Sequence, residues 1–189
     1  YAAEKTMTAV ADAQIDTAQS KFGGASGLFD GTGDKVTAPD DAAWNLGTGK
    51  FTMECWVRPT GTSASTTYAI MGQNTDGNNL VTFKFYPNGG SGSIVGFDAF
   101  TAGGGGDVVV NGTGGTINND TWYHMAVVRD GTTSATWHLF LDGVKLTNNL
   151  AFGAYDATLP DLTGTWNTGS NDGNTGLNHK GHLDECRVV

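Results

Sequence analysis

The segment FTMECWVRP, residues 51–59, alternates between two kinds of side chain. Apolar side chains occupy every second position from Phe51 to Val57, so they share one face of an extended strand. The segment TWYHMAVVRDG, residues 121–131, is also a long extended segment and carries apolar groups on both faces. Strands of this kind are typical of the centre of a sheet, with neighbours on each side.

Turn-rich sequence surrounds these two segments, and helical periodicity is nearly absent. DDAAWNLG, residues 40–47, predicts one short helical turn at most, whereas FLDGVKL, residues 140–146, predicts a hairpin turning at Asp142-Gly143. Many short strands separated by Gly, Asn, Asp, Ser and Thr clusters favour an all-β sandwich of two antiparallel sheets. No linker divides the chain, so residues 1–189 are expected to form one domain.

The composition excludes several classes of partner. The 189 residues include 29 glycines and 19 acidic against 10 basic side chains, a formal charge of −9. Nucleic acid binding requires a basic surface that this chain lacks, and anionic membrane surfaces are disfavoured for the same reason. The apolar runs are far too short for membrane insertion. Two cysteines make neither a disulfide framework nor a zinc site.

Several segments together resemble the laminin-G-like family of concanavalin-A-type jelly rolls. They are LFDGTGDKVTAPDDAAWNLGTGKFTMECWVRP (28–59), TWYHMAVVRDG (121–131), HLFLDGVKL (138–146) and GHLDECRVV (181–189). Their order and spacing match that family over nearly the whole chain. AQIDTAQSKFGGASGLFDGTGD (13–34) is more narrowly similar to the version found in tailed-phage virion proteins, which continue past the final strand. The resemblance therefore implies a jelly-roll fragment of a longer polypeptide.

The resemblance also implies a role. It favours a non-catalytic virion surface module of a tailed phage, in a tail fibre, spike or capsid decoration, that gives adhesion or protein contacts. The expected partners are other virion proteins or host-surface glycans, with homo-oligomers as a further expectation. The alternative is an extracellular carbohydrate-binding module of a secreted bacterial protein. Since jelly rolls host both functions and enzymes as well, the fold alone does not decide between them.

A structural calcium ion is a further implication of the resemblance. Related jelly rolls hold calcium where the first and last strands meet, and here Asp184 would bind it with Asp30 and Asp34 of FDGTGD (29–34). Calcium takes six to eight oxygen ligands, so loop carbonyls and a few carboxylates suffice. The alternative is that Asp30 only shapes its turn by accepting backbone hydrogen bonds.

The acidic residues of the strands do not form a catalytic pair. Asp184 and Glu185 are neighbours in a strand and should point to opposite faces. A glycosidase of this fold needs carboxylates on the same face, and no E-x-D-x-x-E pattern occurs. Glu54 is expected to form an ion pair with Arg58 or Arg187 that satisfies a buried carboxylate. The sequence therefore predicts no enzyme.

Two acidic loops and two tryptophans are the candidates for ligand binding. The loops are GQNTDGNN (72–79) and SNDGNTG (170–176), although Asn and Asp are equally frequent in ordinary turns. The candidate residues are Asp76, Asn78, Asn171, Asp172 and Asn174 in the loops, and Trp44 and Trp166 as platforms on which sugars could stack. Trp56 and Trp122 lie in the central strands and are assigned to packing. By the resemblance His124 takes a core position, where a packed and hydrogen-bonded histidine is expected.

The two cysteines are expected on one apolar layer. Cys55 lies among Phe51, Met53 and Val57, and Cys186 alternates with Val188. A disulfide would require the two residues to lie directly opposite each other on neighbouring strands, and a slip of one residue would prevent it. Buried free cysteine is common, so two thiols are favoured over a bridge.

Overall fold

The computed structural model describes residues 5–64, 66–87, 92–102, 107–171 and 177–189, and these form short β-strands with two single-turn 3₁₀ helices. The strands are β1 (Thr8–Val10), β2 (Gln14–Asp16), β3 (Ser26–Asp30), β4 (Lys35–Ala38), β5 (Phe51–Pro59), β6 (Tyr68–Asp76), β7 (Asn79–Phe85), β8 (Ser93–Phe100), β9 (Val108–Thr113), β10 (Tyr123–Arg129), β11 (Trp137–Leu141), β12 (Val144–Lys145), β13 (Thr147–Gly153), β14 (Trp166–Thr168) and β15 (Lys180–Val188). The 3₁₀ helices are Ala42–Trp44 and Ser134–Thr136. The first of them confirms the single turn predicted within residues 40–47.

The strands form two antiparallel sheets. One has eight strands in the order β1-β4-β14-β6-β7-β8-β9-β13, and the other has seven in the order β12-β11-β10-β5-β15-β3-β2. The predicted all-β sandwich of two antiparallel sheets is confirmed, as are the central positions of β5 and β10. No helix among the described residues is long and apolar enough to cross a membrane.

The core lies between the sheets and follows the alternation of the strands. From the seven-stranded sheet it contains the apolar set of β5, including Met53 and Cys55. From the eight-stranded sheet it contains Phe83, Phe85 and Phe97. Since successive residues of a strand point to opposite faces, the residues between these belong to the outer faces of the sandwich. The outer face of the eight-stranded sheet carries the candidate site described below.

The β11–β12 connection confirms the predicted hairpin. Asp142 and Gly143 have φ values of +51° and +75°, as a two-residue type I′ turn requires. The carboxylate of Asp142 also accepts a hydrogen bond from the backbone N–H of His124, at 2.7 Å, which fastens the turn to the neighbouring strand.

A β-bulge in β15 places the two cysteines together. Asp184 pairs with Trp56 and Arg187 pairs with Glu54, so two residues of β15 lie opposite Cys55. Glu185, with φ of +50°, absorbs the extra residue at the surface. Cys186 therefore turns inward, its Cα atom 4.2 Å from that of Cys55, and the two form a disulfide. The shared apolar layer is confirmed, but the expectation of two thiols is wrong. In a regular strand Cys186 would lie opposite Glu54 and point outward, whereas the bulge turns it inward beside Cys55.

The outer face of the seven-stranded sheet holds the predicted ion pair. Glu54 accepts from Arg187 at 2.9 Å and lies 3.2 Å from Nε2 of His124, whereas Arg58 pairs with Asp120 at 3.2 Å. The expectation that Glu54 pairs with Arg187 is confirmed. The expected core position of His124 is wrong: its neighbours Tyr123 and Met125 take the inward face of β10, which leaves the histidine outside.

Trp56 and Trp122 also lie outside the core. The ring of Trp56 packs edge-on against Phe22 and beneath the ammonium group of Lys21, 4.1 Å from the ring centroid. The ring of Trp122 lies 6.3 Å from that of His182. Packing thus explains both tryptophans, as predicted, but on the outer face of their sheet.

Candidate functional site

Polar side chains line the outer face of the eight-stranded sheet and are nevertheless buried. In β7, Leu80, Thr82 and Lys84 alternate with the core-facing residues. Across the ladder, Thr82 pairs with Asp98 and Leu80 pairs with Phe100. Thr82, Lys84 and Asp98 are all buried, so the middle of this face is covered, whereas the end beside Leu80 and Phe100 is open. These residues form the floor of the candidate site.

One described residue from each predicted ligand loop lies on this floor. The side-chain amide of Asn74 in β6 donates to Oδ1 of Asn171 at 2.8 Å, and the amide of Asn171 in turn donates to the hydroxyl of Thr82. Asn171 therefore lies on the floor, in contact with a residue of the 72–79 loop, and its role in ligand binding stays a prediction. Asp172 and Asn174, which sequence reasoning placed beside it, lie outside the described residues.

A buried ion pair occupies the centre of the floor. The ammonium group of Lys84 contacts Oδ2 of Asp98, and both residues are almost fully enclosed. Burial raises the pKa of the Asp98 carboxyl, and the attraction of Lys84 offsets only part of that effect. An ion pair of this kind depends on both partners, because removing one leaves an uncompensated buried charge.

Gly96 provides the space for the groups around this ion pair. It pairs with Lys84 across the ladder, and a Cβ atom at this position would lie 2.8 Å from Oδ1 of Asn111 and 3.0 Å from the ring of Tyr86. The hydroxyl group of Tyr86 donates to the same Asn111 oxygen at 3.4 Å. Glycine in β8 thus lets a tyrosine and an asparagine reach the lysine from the side.

Within the part of the chain that the structure describes, two buried acceptors on the floor have no hydrogen-bond partner. They are Oδ1 of Asn74 and Oδ1 of Asp98. An unsatisfied buried polar group costs about 1–3 kcal/mol, so native proteins rarely keep one without a reason. Both acceptors lie on the outer face of the eight-stranded sheet, which distinguishes this part of the structure from the apolar core.

A cavity of about 420 Å³ opens at the end of the floor. Its walls are the β6–β7 turn, the Leu80–Phe100 pair and the segment after β8, with lining residues Gly77, Asn78, Leu80, Phe100, Thr101, Ala102 and Asp107. The ring of Phe152 in β13 lies 6.3 Å from that of Phe100 and is 56 % exposed. The cavity therefore has an aromatic wall next to polar groups.

Hydrogen bonds hold the polar wall of the cavity in place. Asp76 accepts from the backbone N–H of Asn78 at 2.8 Å and from the side-chain amide of Asn79, which closes the β6–β7 turn. Asp107 accepts from the backbone N–H of Thr101 at 2.8 Å. Hydrogen bonding lowers the pKa of Asp76, first through the N–H of Asn78. Both carboxylates are thus fixed in orientation, and Asn78, which sequence reasoning had singled out, lines the cavity.

The predicted tryptophan platforms are packed against each other instead. The rings of Trp44 and Trp166 stack at a centroid distance of 4.7 Å and an angle of 22°. Trp166 is buried in the core, and the indole N–H of Trp44 donates to the carbonyl of Pro39 at 3.1 Å. Trp166 therefore offers no free face to a sugar.

The three carboxylates proposed for calcium are not brought to one point. Asp30 pairs with Lys180, and Asp184 lies four residues further along β15, roughly 13 Å away at about 3.3 Å per residue. Asp184 instead accepts from the backbone N–H groups of Lys21 and Phe22, at 2.8 and 2.9 Å.

Asp34 is already engaged by the chain itself. Its buried carboxylate accepts from the backbone N–H groups of Asp12 and Asp30, both at 2.8 Å, and Asp30 accepts from Thr32 within its own turn. Within the described ranges, no group of three His, Cys, Asp or Glu residues is arranged to hold a metal. The three acids therefore do not fit a common calcium site, and the alternative that Asp30 shapes its turn describes what the structure shows.

Sequence reasoning missed the floor itself. Lys84 and Asp98 are the single charged residues of two largely apolar strands, and this was the signal that could have located them. Which face they occupy depends on the register of β7 and β8, which the sequence does not state.

The family comparison matches most of the chain. The sequence model of the Laminin_G_3 family, described as "Concanavalin A-like lectin/glucanases superfamily", matches residues 30–189. No curated protein is a significant match to the sequence.

Solved structures share the fold at low sequence identity. The full-length tailspike protein 2 from the Escherichia coli O157:H7 bacteriophage CAB120 is 15 % identical with a TM-score of 0.62, over 97 % of this chain and 25 % of that one. A structure of botulinum neurotoxin type C, a toxin whose cell entry depends on interaction with two ganglioside molecules, is 11 % identical with a TM-score of 0.60, over 97 % of this chain and 40 % of that one. Domains LG4-5 of the mouse laminin alpha1 chain are 12 % identical with a TM-score of 0.60, over 94 % and 42 %. The chain thus spans about a quarter of the tailspike and less than half of the other two.

Proposed function

Because the chain belongs to the concanavalin A-like lectin/glucanases superfamily, we propose that it is a non-catalytic module that binds carbohydrate on the outer face of its eight-stranded sheet. The observation that carries this proposal is the cavity at the end of the floor, which Phe100, Asn78 and Asp107 line together. Ligand sites of this kind combine an apolar surface with a few fixed polar groups.

A sugar ring matches both walls of this cavity. Its C–H face is apolar and would lie against Phe100 or Phe152, while its hydroxyl groups would exchange hydrogen bonds with Asn78 and Asp107. The hydrogen bonds that already hold Asp76 and Asp107 keep this wall rigid, so little conformational entropy is lost on binding.

The state of the nearby carboxylates supports binding over hydrolysis. Asp98 is paired with Lys84, and both oxygens of Asp76 accept from Asn79. A retaining or inverting glycosidase needs one carboxylic acid and one free carboxylate on opposite sides of the scissile bond. Among the described residues this leaves Asp107 as the one carboxylate of the cavity wall with capacity for a ligand, and a single carboxylate is not the pair that hydrolysis needs.

We further propose that the module works at the surface of a tailed-phage virion, in a fibre, spike or decoration, where it gives adhesion to host glycans. The sequence of residues 13–34 and the fold shared with a phage tailspike protein support this setting. The alternative, a carbohydrate-binding module of a secreted bacterial protein, is supported by the fold shared with a putative carbohydrate binding protein from Bacteroides ovatus, 17 % identical with a TM-score of 0.50. Immunogold labelling of phage particles from the source would separate the two.

Glycan-array screening followed by affinity electrophoresis on the glycans that bind tests the site itself. We expect Phe152→Ala to weaken binding about tenfold, the equivalent of about 1.4 kcal/mol. Phe22→Ala is the matched control, since Phe22 is 50 % exposed but lies on the other sheet. Loss of binding in both variants, or in the control alone, would contradict a site beside Phe152.

A further inference from the structure

We infer that the site selects neutral, hydroxyl-rich glycans and rejects glycans that carry carboxylate or sulfate groups. This inference rests on the proposed function and names the class of ligand that the same site takes. Three observations support it: the charge beside the cavity, the polarity of its hydrogen-bonding groups and the state of the only lysine on the floor within the described residues.

The charge beside the cavity is negative. Asp107 lines it directly, and Asp76 holds the turn that forms its other wall. Asp98 and Lys84 compensate each other, and no salt bridge within the described ranges reaches Asp76 or Asp107. The whole chain carries −9, which adds a repulsive background for any polyanion.

The lysine that could have bound an anion is already used. The ammonium group of Lys84 contacts Asp98 and faces the ring of Tyr86, 5.4 Å from its centroid. It is almost fully buried, so an anionic ligand would have to separate a desolvated ion pair to reach it. Among the described residues of the floor and the cavity wall, no other cation could pair with a uronic acid or sulfate group in return for its desolvation.

The polar wall of the cavity can accept further hydrogen bonds from a ligand. Asp107 uses Oδ1 to hold Thr101, and a carboxylate accepts up to about four hydrogen bonds in all, so it has capacity left for ligand hydroxyl groups. Hydroxyl groups satisfy such acceptors, whereas a ligand carboxylate offers acceptors only.

Paired polysaccharides provide the test. Polygalacturonic acid and its carboxyl-reduced form, and alginate and its carboxyl-reduced form, differ only in the charged group. We expect at least one reduced, neutral polymer to bind about tenfold or more tightly than its acidic parent in affinity electrophoresis at low salt. Raising the ionic strength should narrow this difference, because the Debye length falls from about 10 Å at 0.1 M salt to about 3 Å at 1 M.

Asp107→Asn identifies the origin of the selectivity. It should lower the ratio of the affinity for the neutral form to that for the acidic form by about fivefold. Asp130→Asn is the matched control: it removes the same net charge but should leave this ratio unchanged, since Asp130 pairs with Lys50 at a turn of the seven-stranded sheet. If an acidic polymer binds as tightly as its neutral form, or if both variants change the ratio equally, the inference is wrong. If none of these polymers and no glycan on the array binds, the proposed function itself fails.

Discussion

The disulfide between Cys55 and Cys186 should carry a large share of the stability of the fold. It joins β5 to β15 across a separation of 131 residues. In the chain-entropy model, closing a loop of that length lowers the entropy of the unfolded chain by about 17 cal/mol/K, which corresponds to about 5 kcal/mol at 25 °C. For a domain of this size each kcal/mol shifts the melting temperature by about 2–4 °C. We therefore expect reduction to lower the melting temperature by roughly 10–20 °C.

Differential scanning calorimetry with and without a phosphine reductant measures this shift, and thiol labelling of the denatured, unreduced chain measures the bond. Labelling should modify neither cysteine. The double variant Cys55→Ala/Cys186→Ala is the control, because reductant should not change its melting temperature. Two labelled cysteines in the wild-type chain, or identical melting curves with and without reductant, would refute the register in which Cys186 faces Cys55.

Three further predictions concern charged groups. His179 is fully buried between Phe rings, and burial lowers its pKa from 6.5 to about 3. The free energy of unfolding should therefore fall as the pH drops from 6.5 towards 3, by up to about 1.4 kcal/mol per pH unit, because the unfolded chain takes up a proton there. Urea unfolding of His179→Leu should show a correspondingly smaller loss over the same pH range. Arg187 is 60 % exposed, so Glu54→Ala should lower the free energy of unfolding by only about 1 kcal/mol, less than the loss of a buried pair would. A coupling energy above about 2 kcal/mol in a double-mutant cycle with Arg187→Ala would show that solvent does not screen the pair. Since Asp34 accepts from backbone N–H groups and Asp184 lies past the end of the β3–β15 pairing from Asp30, melting curves in chelator and in millimolar calcium should coincide. A higher melting temperature in calcium would contradict this prediction and indicate a calcium site.

Much of the sandwich could be predicted because its signals are local. The alternation of β5 identifies its inward residues, and Asp142-Gly143 determines the turn between β11 and β12 wherever those strands lie. The same alternation does not tell which side of a strand another sheet will cover. For this reason the outward placement of Trp56 and His124 could not be predicted from their strands alone.

The features that were mispredicted depend on register between distant strands. The bulge at Glu185 moves Cys186 by one position, and nothing in DECRVV distinguishes a bulged strand from a regular one. The Asn74–Asn171 contact joins segments 97 residues apart, so each asparagine alone looks like an ordinary turn residue. Composition was enough to mark the acidic loops, but the contact between Asn74 and Asn171 depends on the pairing of β6 with β7 and β14.

Chemical-shift mapping of the isotope-labelled chain, titrated with an oligosaccharide of a glycan that binds on the array, tests the central claim most directly. If the eight-stranded sheet binds carbohydrate on its outer face, the backbone amides of Asn78, Phe100 and Asp107 should shift in proportion to saturation, while those of Phe22 and Trp56 on the other sheet should not move. Shifts confined to Phe22 and Trp56, with Asn78 and Phe100 unchanged, would contradict the account.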